Sequence, residues 1–414
     1  MLIALDIALI VLASLLAVPV LILVVEVIAS TFAGPSETQI AALGAPRPKM
    51  AVVIPAHNES AVLKRTLDSI LPQLEDGDRV VVVADNCSDE TANIARSAGV
   101  EVLERQSDSD RGKGFALDAG IRHLKQSAPD DLPAVVVFND ADVIVGEHAI
   151  ETLVRQCAFA KLPVQGLYLM DLPAGDAAPK PADLISRFAF LLKNRVRPLG
   201  LWAMDCPVPL FGSGMAFPWD VIANAPLATS DLVEDMRLGM DLTNRGTPPM
   251  FCPAAAFNGE LPGEQTAAVS QRRRWEHGHM NVLMSVPRVL WGGLLRGDGR
   301  RIAVGLDHAV QPLTILVGSI LLVCAATVTR YFFGGTLASV ATGIAVGSLF
   351  LIGLSLVITW VAHLRGEIPL RAVMGLPRYL LLRIPNQLSW LIRRQRDWVR
   401  TPRRQETGGG DATA

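Results

Sequence analysis

Asp140 and Asp142 stand two apart in FNDADV (138–143), where an apolar run ends. In extended chain, residues i and i+2 point the same way. Two carboxylates side by side repel unless a hard cation lies between them. The pair therefore predicts a Mg²⁺ or Mn²⁺ site shared with substrate phosphates, the cation offsetting charge on a departing diphosphate. Lys113 lies between Gly112 and Gly114 in SDSDRGKGFALDAGI (107–121), just before a helical pattern. Glycines let backbone approach a ligand, and a helix N-terminus with a lysine suits a phosphate. The spacing is not that of a Walker loop, and a flexible turn is the bland alternative.

Glu234 and Asp235 open the helical run of SDLVEDMRLGMDL (230–242). One carboxylate opposite a leaving group is suited to take the proton of an acceptor hydroxyl. Acidic residues in a first helical turn also suit the macrodipole without any chemistry. VSQRRRWEHGH (269–279) sets Gln271, three arginines and Trp275 in a row. Arginine forks suit diphosphate oxygens and an aromatic face suits a sugar ring, while a basic helix at lipid headgroups is the competing reading. VVIPAHNES (52–60) and VVVADNCSDET (81–91) each place polar residues at the end of an apolar run. Asp85 suits hydrogen bonds from a base or ribose, and Ser88 or Asp89 suits a helix cap.

The elements that must carry these residues are legible. MAVVIPA (50–56), RVVVVAD (79–85), VEVLER (100–105) and AVVVFNDAD (134–142) are short β-branched runs separated by helical stretches. That alternation predicts a mostly parallel sheet covered on both faces, with ligands beyond the carboxyl ends of its strands. Each chemical motif lies at such an end.

The chain has 414 residues, half of them hydrophobic, and a mean hydropathy of +0.34. This predicts bilayer spans. A formal net charge of -2 sets up no global field for nucleic acid. Five cysteines without CxxC spacing read as reduced structural thiols rather than a zinc site. The pattern divides the chain into an N-terminal transmembrane helix (1–30), a linker (31–48), an α/β catalytic domain (49–280) and an interfacial helix (281–300). Two transmembrane helices (305–330 and 336–363), basic interfacial helices (367–404) and a disordered tail (405–414) follow. Asp6 and Glu26 must lie near the two ends of the first span. Arg296, Arg300 and Arg301 precede the later hairpin and Arg365, Arg371 and Arg378 follow it, so both its outer ends should be cytoplasmic. Arg330, in the hairpin turn, is the discordant charge.

In order, IPAHNES, ADNCSDET, RGKGFAL, DAD, VED and QRRRW resemble glycosyltransferase family 2 of the GT-A fold. Within it they are similar to the membrane-embedded branch containing cellulose, hyaluronan and poly-N-acetylglucosamine synthases. The resemblance covers roughly residues 50–280. It implies an α/β GT-A domain with a mostly parallel central sheet, plus helical transmembrane and interfacial segments. It implies Pro55, Ala56, Glu59 and Asp85 around the base and ribose, and Lys113 on the nucleotide and its phosphates. Asp140 and Asp142 match the metal-bearing DxD, Asp142 as the more direct ligand. Asp235 matches the catalytic base. Gln271, Arg272, Arg274 and Trp275 match QxxRW, which holds the diphosphate and the acceptor end. FGSGMAF (211–217), with Gly212, resembles the glycine-containing loop near the acceptor, where Glu234 and Trp275 also belong, and Val164–Gln165–Gly166 a further family element. The implied reaction is an inverting single displacement from a nucleotide-diphospho-sugar, UDP-sugar foremost, onto a lipid-linked or growing polysaccharide acceptor. The compartment implied is the inner membrane, with the catalytic domain cytoplasmic among membrane lipids. Val233 stands where the TED-type motif has threonine. Three spans are fewer than the long processive synthases carry, so a processive synthase with partner subunits is the second expectation.

Overall fold

The computed structural model describes residues 2–35, 41–42, 44–172, 179–261 and 265–380. These form two compact units. Among the described residues, one draws on 2–33, 179–205 and 279–380; the other on 34–35, 41–42, 44–172, 206–261 and 265–278.

The second unit is built on an eight-stranded sheet. Its strands are β1 (Met50–Ala56), β2 (Arg79–Asp85), β3 (Glu101–Arg105), β4 (Val135–Phe138), β5 (Ile144–Val145), β6 (Val164–Asp171), β7 (Met215–Pro218) and β8 (Met250–Glu260), in the order β3-β2-β1-β4-β7-β6-β8-β5. β3, β2, β1 and β4 run parallel, as do β6 and β8. β7 is antiparallel to both its neighbours, and β5 caps the edge antiparallel to β8. β1, β2 and β4 are buried on both faces, which is why they read as unbroken apolar runs. The helix Lys113–Ser127 lies on them so closely that a Cβ on Gly120 would meet Val53 Cγ1 at 2.6 Å. Phe138 and Phe217 pack across β4 and β7 in a tilted pair with centroids 5.1 Å apart. Burying each such ring contributes roughly 1.5–3 kcal/mol.

β1 and β2 have the bounds the sequence predicts, but β4 ends earlier than 134–142 implies. The buried Asn139 turns the chain: its amide donates to the carbonyls of Asp140 and Val143, both at 3.0 Å. Val143 N donates to Asp140 O at 3.2 Å. Asp140 and Asp142 are therefore positions i and i+2 of a β-turn, not neighbours on extended chain.

The first unit is helical. Ile3–Ser30, Leu313–Phe332 and Ala338–Leu364 are long and apolar enough to cross a membrane. The second candidate span starts at Leu313 rather than 305, because residues 305–309 belong to the helix Gly299–Ala309 and Pro312 opens the next one. The 281–300 segment is likewise divided, by turns at Met284–Ser285 and Gly297, among three helices. The expected 49–280 domain is interrupted in space. Residues 178–205 cluster with the helical unit, because the helix Pro181–Leu191 buries Leu184, Ile185, Phe188 and Leu191 there. Both acidic residues of the first span have partners: Asp6 pairs with the discordant Arg330 at 2.9 Å, and Glu26 with Arg197 at 2.5 Å. Arg197 also reaches Asp307 at 2.6 Å. Residues 381–404 and the 405–414 tail lie outside the described residues.

Candidate active site

The first two sheet ends are bound to one another. Asn58, two residues past β1, and Asn86, the first residue past β2, take left-handed φ of 55° and 53°, which asparagine tolerates better than most residues. Ser88 N donates to Asn58 Oδ1 at 2.7 Å, Glu59 N to Thr91 Oγ1 at 2.8 Å, and Ser60 N to Asp89 Oδ2 at 3.1 Å. His57 Nδ1 lies 2.7 Å from Asp85 O. Pro55, Ala56, Glu59 and Asp85 thus share one rim. Asp89 is the clasp of that rim. Burial alone would raise its pKa, but bonds from Thr91 and Ser60 outweigh burial and hold the carboxyl at about 2.

Lys113 is the centre of the site. Its Nζ sits 2.5 Å from Asp140 Oδ1, 3.6 Å from Glu234 Oε1 and 2.7 Å from Gly212 O. Gly212, at φ +92°, separates Lys113 from Asp235: a Cβ there would meet Asp235 Oδ2 at 3.2 Å and Lys113 Nζ at 3.4 Å. Lys113, Asp140, Gly212, Glu234 and Asp235, predicted from four separate stretches of sequence, therefore meet at one point. A cleft of about 230 Å³ adjoins them, lined among others by Leu227, Thr229, Asp231, Glu234, Asp235 and Arg237.

The electrostatics are acidic. Burial raises the Asp140 carboxyl; Lys113 pulls it back, and the charges of Asp142 and Asp235 push it up further. Burial likewise lifts Glu234 to about 7, opposed by Lys113 and reinforced by Asp235. Burial would lower Lys113, but Asp140 and Glu234 outweigh it and raise the ammonium above its ordinary value. Three carboxylates around one ammonium, with Asp142 acting on Asp140, leave surplus acidic groups that suit a divalent cation. Among the described residues no group of three protein ligands could hold a metal. A donor set of two aspartates completed by substrate oxygens is what Mg²⁺ or Mn²⁺ accepts.

The second glycine of RGKG has a packing reason. A Cβ on Gly114 would meet Leu227 O at 2.4 Å and Thr229 O at 2.8 Å, so the segment leading into Val233–Glu234–Asp235 lies directly on the helix that carries Lys113. Gln271, Arg274 and Trp275 are half-buried on the helix Gln265–Leu283. Gly278, one turn beyond Trp275, abuts Val233, where a Cβ would lie 2.4 Å from Cγ1. The side chain of Arg272 lies outside the described residues.

The motifs do not identify Ser213. Its Oγ accepts from Asp140 N at 3.0 Å and donates to Asn139 Oδ1 at 3.2 Å, tying the glycine loop to the aspartate turn. Gln165, fully buried, holds the same loop: Oε1 accepts from Phe211 N at 2.8 Å and Nε2 donates to Ser213 O at 2.9 Å. A buried glutamine in an apolar strand was the signal for it.

Comparisons with known proteins place this geometry. Residues 46–278 match the family described as glycosyltransferase like family 2. A 4,4'-diaponeurosporenoate glycosyltransferase of Staphylococcus aureus is 35% identical over 111 residues, 26% of this chain and 28% of the relative's length. The Pyrobaculum calidifontis mannosyltransferase PcManGT, solved with GDP-Man and Mn²⁺, aligns at a TM-score of 0.50 and 17% identity, over 89% of this chain and 100% of that one. Glucosyl-3-phosphoglycerate synthase of Mycobacterium tuberculosis aligns at 0.38 and 22% identity, over 58% of this chain and 81% of that one. With more than half its length matched by the family model, this chain belongs to glycosyltransferase-like family 2.

Proposed function

We propose that the protein is an inverting, membrane-bound hexosyltransferase. It moves a sugar from a nucleotide-diphospho-sugar, a UDP-sugar foremost, to a lipid-linked or growing polysaccharide acceptor at the cytoplasmic membrane face, in exopolysaccharide or glycolipid assembly. The observation that carries this reading is the convergence of Lys113, Asp140, Gly212 and Asp235 at the carboxyl edge of the sheet. The three candidate spans and the arginines flanking their outer ends support the membrane placement.

Pro55, Ala56, Glu59 and Asp85 bind the base and ribose. Lys113 orients the donor phosphates, and Asp140 and Asp142 are the residues to hold Mg²⁺ or Mn²⁺. When bound, that ion offsets charge on the leaving nucleoside diphosphate. Asp235 takes the proton of the acceptor hydroxyl as that oxygen attacks C1 of the donor sugar. Gly212, Glu234 and Trp275 position the acceptor, and Gln271, Arg272 and Arg274 secure the diphosphate. A processive synthase with partner subunits is the second reading.

The test is release of UDP from a panel of UDP-sugars by membranes carrying wild type or Asp235→Asn, with divalent metal and lipid extract. Wild type releases UDP from one sugar, and the variant is slower by about 100-fold or more. Equal rates would remove Asp235 as the base.

A further inference from the structure

Asp85 does not stand alone at the end of β2. Arg105, the last residue of β3, is its register partner in the parallel pair. Arg105 Nη1 lies 2.5 Å from Asp85 Oδ1, and Asn86 Nδ2 donates to the same oxygen at 3.1 Å. One carboxylate oxygen is thus taken by two donors, while Oδ2 has no partner among the described residues. The rest of Arg105 is equally fixed. Nη2 donates to Asp110 O at 2.6 Å, and the guanidinium sits over the Phe115 ring, 5.7 Å from its centroid. The side chains of Arg105 and Asp85 are only 15% and 9% exposed.

A bland purpose, holding β2 to β3, is already served elsewhere. At the other end of β2, Arg79 grips Glu101 through two parallel bonds of 2.7 Å. Arg105 lies instead at the carboxyl ends of the strands, where sheets of this kind bind ligands.

We propose that Arg105 is a positioning residue for the donor's base. By occupying Oδ1 and locking the carboxylate, it presents Asp85 Oδ2 as a pure hydrogen-bond acceptor and so restricts the donor to nucleotides whose base carries a ring N–H. This inference rests on the reading of Asp85 as a base contact. Uracil and guanine offer such an N–H. Cytosine and adenine set a bare ring nitrogen against the carboxylate, two acceptors facing one another. A site built around one polar partner discriminates strongly against the analogue lacking it.

The experiment measures dissociation constants of UDP, GDP, CDP and ADP, with Mn²⁺, for the full chain in detergent and for the variants Arg105→Gln and Arg105→Lys. Inorganic pyrophosphate serves as a base-free control. Wild type binds UDP or GDP at least about tenfold more tightly than CDP and ADP. Arg105→Gln brings that ratio toward one while pyrophosphate affinity changes by less than about twofold. Arg105→Lys, which keeps the charge but one donor group, falls between and carries the test if the glutamine variant does not fold. Asp85→Asn, whose amide can donate, shifts the preference toward CDP. If Arg105→Gln keeps the wild-type ratio, with or without a uniform loss of affinity, Arg105 is structural and the inference is overturned. Wild type that binds all four alike also overturns it. Wild type that binds no nucleoside diphosphate overturns the donor-site reading itself, and the Arg105 inference with it.

Discussion

Replacing Lys113 with methionine preserves the length of the side chain and removes the ammonium that faces Asp140 and Glu234. Breaking a fully buried ion pair by removing one partner costs about 3–5 kcal/mol. Here the Lys113 and Asp140 side chains keep 21% and 25% of their exposure, so water relieves part of the loss. The figure falls toward that for hydrogen bonds to charged groups, and about 2 kcal/mol is expected. For a domain of this size that lowers Tm by roughly 4–8 °C. The sign of the pH dependence follows from the carboxylates. Glu234 has a folded pKa of about 7, above its ordinary 4.5, and Asp140 is also raised. An acid raised in the folded state destabilises as pH climbs through its folded pKa and is relieved as it takes a proton. Without Lys113 both are raised further, so the deficit is largest near pH 8 and shrinks toward pH 5.5. Mn²⁺ raises the Tm of the variant more than that of wild type, because a bound cation supplies the missing charge. Thermal melts of the detergent-solubilised full chain at the two pH values, with and without Mn²⁺, decide the matter. A deficit that is equal at both pH values, or no deficit, would refute the account of Lys113 as the counter-charge of an acidic cluster.

Three further outcomes are expected. Gly114→Ala forces the Leu227 and Thr229 carbonyls off the Lys113 helix; it lowers stability by about 1–3 kcal/mol, and UDP release falls by more than the melting loss alone predicts. Asp89→Asn loses stability at pH 7, checked by melting, but the difference disappears as pH drops from the ordinary 3.8 through about 2, where wild-type Asp89 protonates as well. Arg197→Met leaves Glu26 and Asp307 buried without their shared counter-ion, at a cost of about 3–5 kcal/mol; adding Glu26→Gln and Asp307→Asn recovers most of the lost Tm.

The sheet was legible because burial on both faces leaves its mark locally. β1 is apolar from end to end and β2 is apolar between Arg79 and Asp85, so their bounds follow from composition alone. β7 was not legible as a strand of this sheet. It has four residues, and its place between β4 and β6 is set by partners far away in sequence. The helix that leaves the catalytic sequence to join the spans carries its apolar residues at 184, 185, 188 and 191, a helical period that says it is buried but not against what. The start of the second span depends on a single residue: with Pro312 the chain restarts, and Asp307 and His308 are buried in the preceding helix instead of entering the span.

At the site, residue types were readable and their geometry was not. Two aspartates two apart imply a shared side only if the chain is extended, and Asn139 is the residue that prevents this. A short polar side chain at the end of a buried strand competes for the backbone, and here it closes a turn over Asp140 and Val143. The two glycines around Lys113 suggest access for a ligand, yet the atoms that crowd Gly114 belong to the protein. That crowding has a chemical consequence. The segment lying on Gly114 runs into Val233, Glu234 and Asp235, so the helix that presents the ammonium and the turn that presents the proposed base are set against each other by one missing methyl group. Gly212 repeats the device, its positive φ letting its carbonyl reach Lys113 while both Lys113 and Asp235 come close to where a Cβ would lie. The charged groups of the site are thus brought together by glycines whose role is close packing, a property that no single motif records because it belongs to pairs of segments about one hundred residues apart.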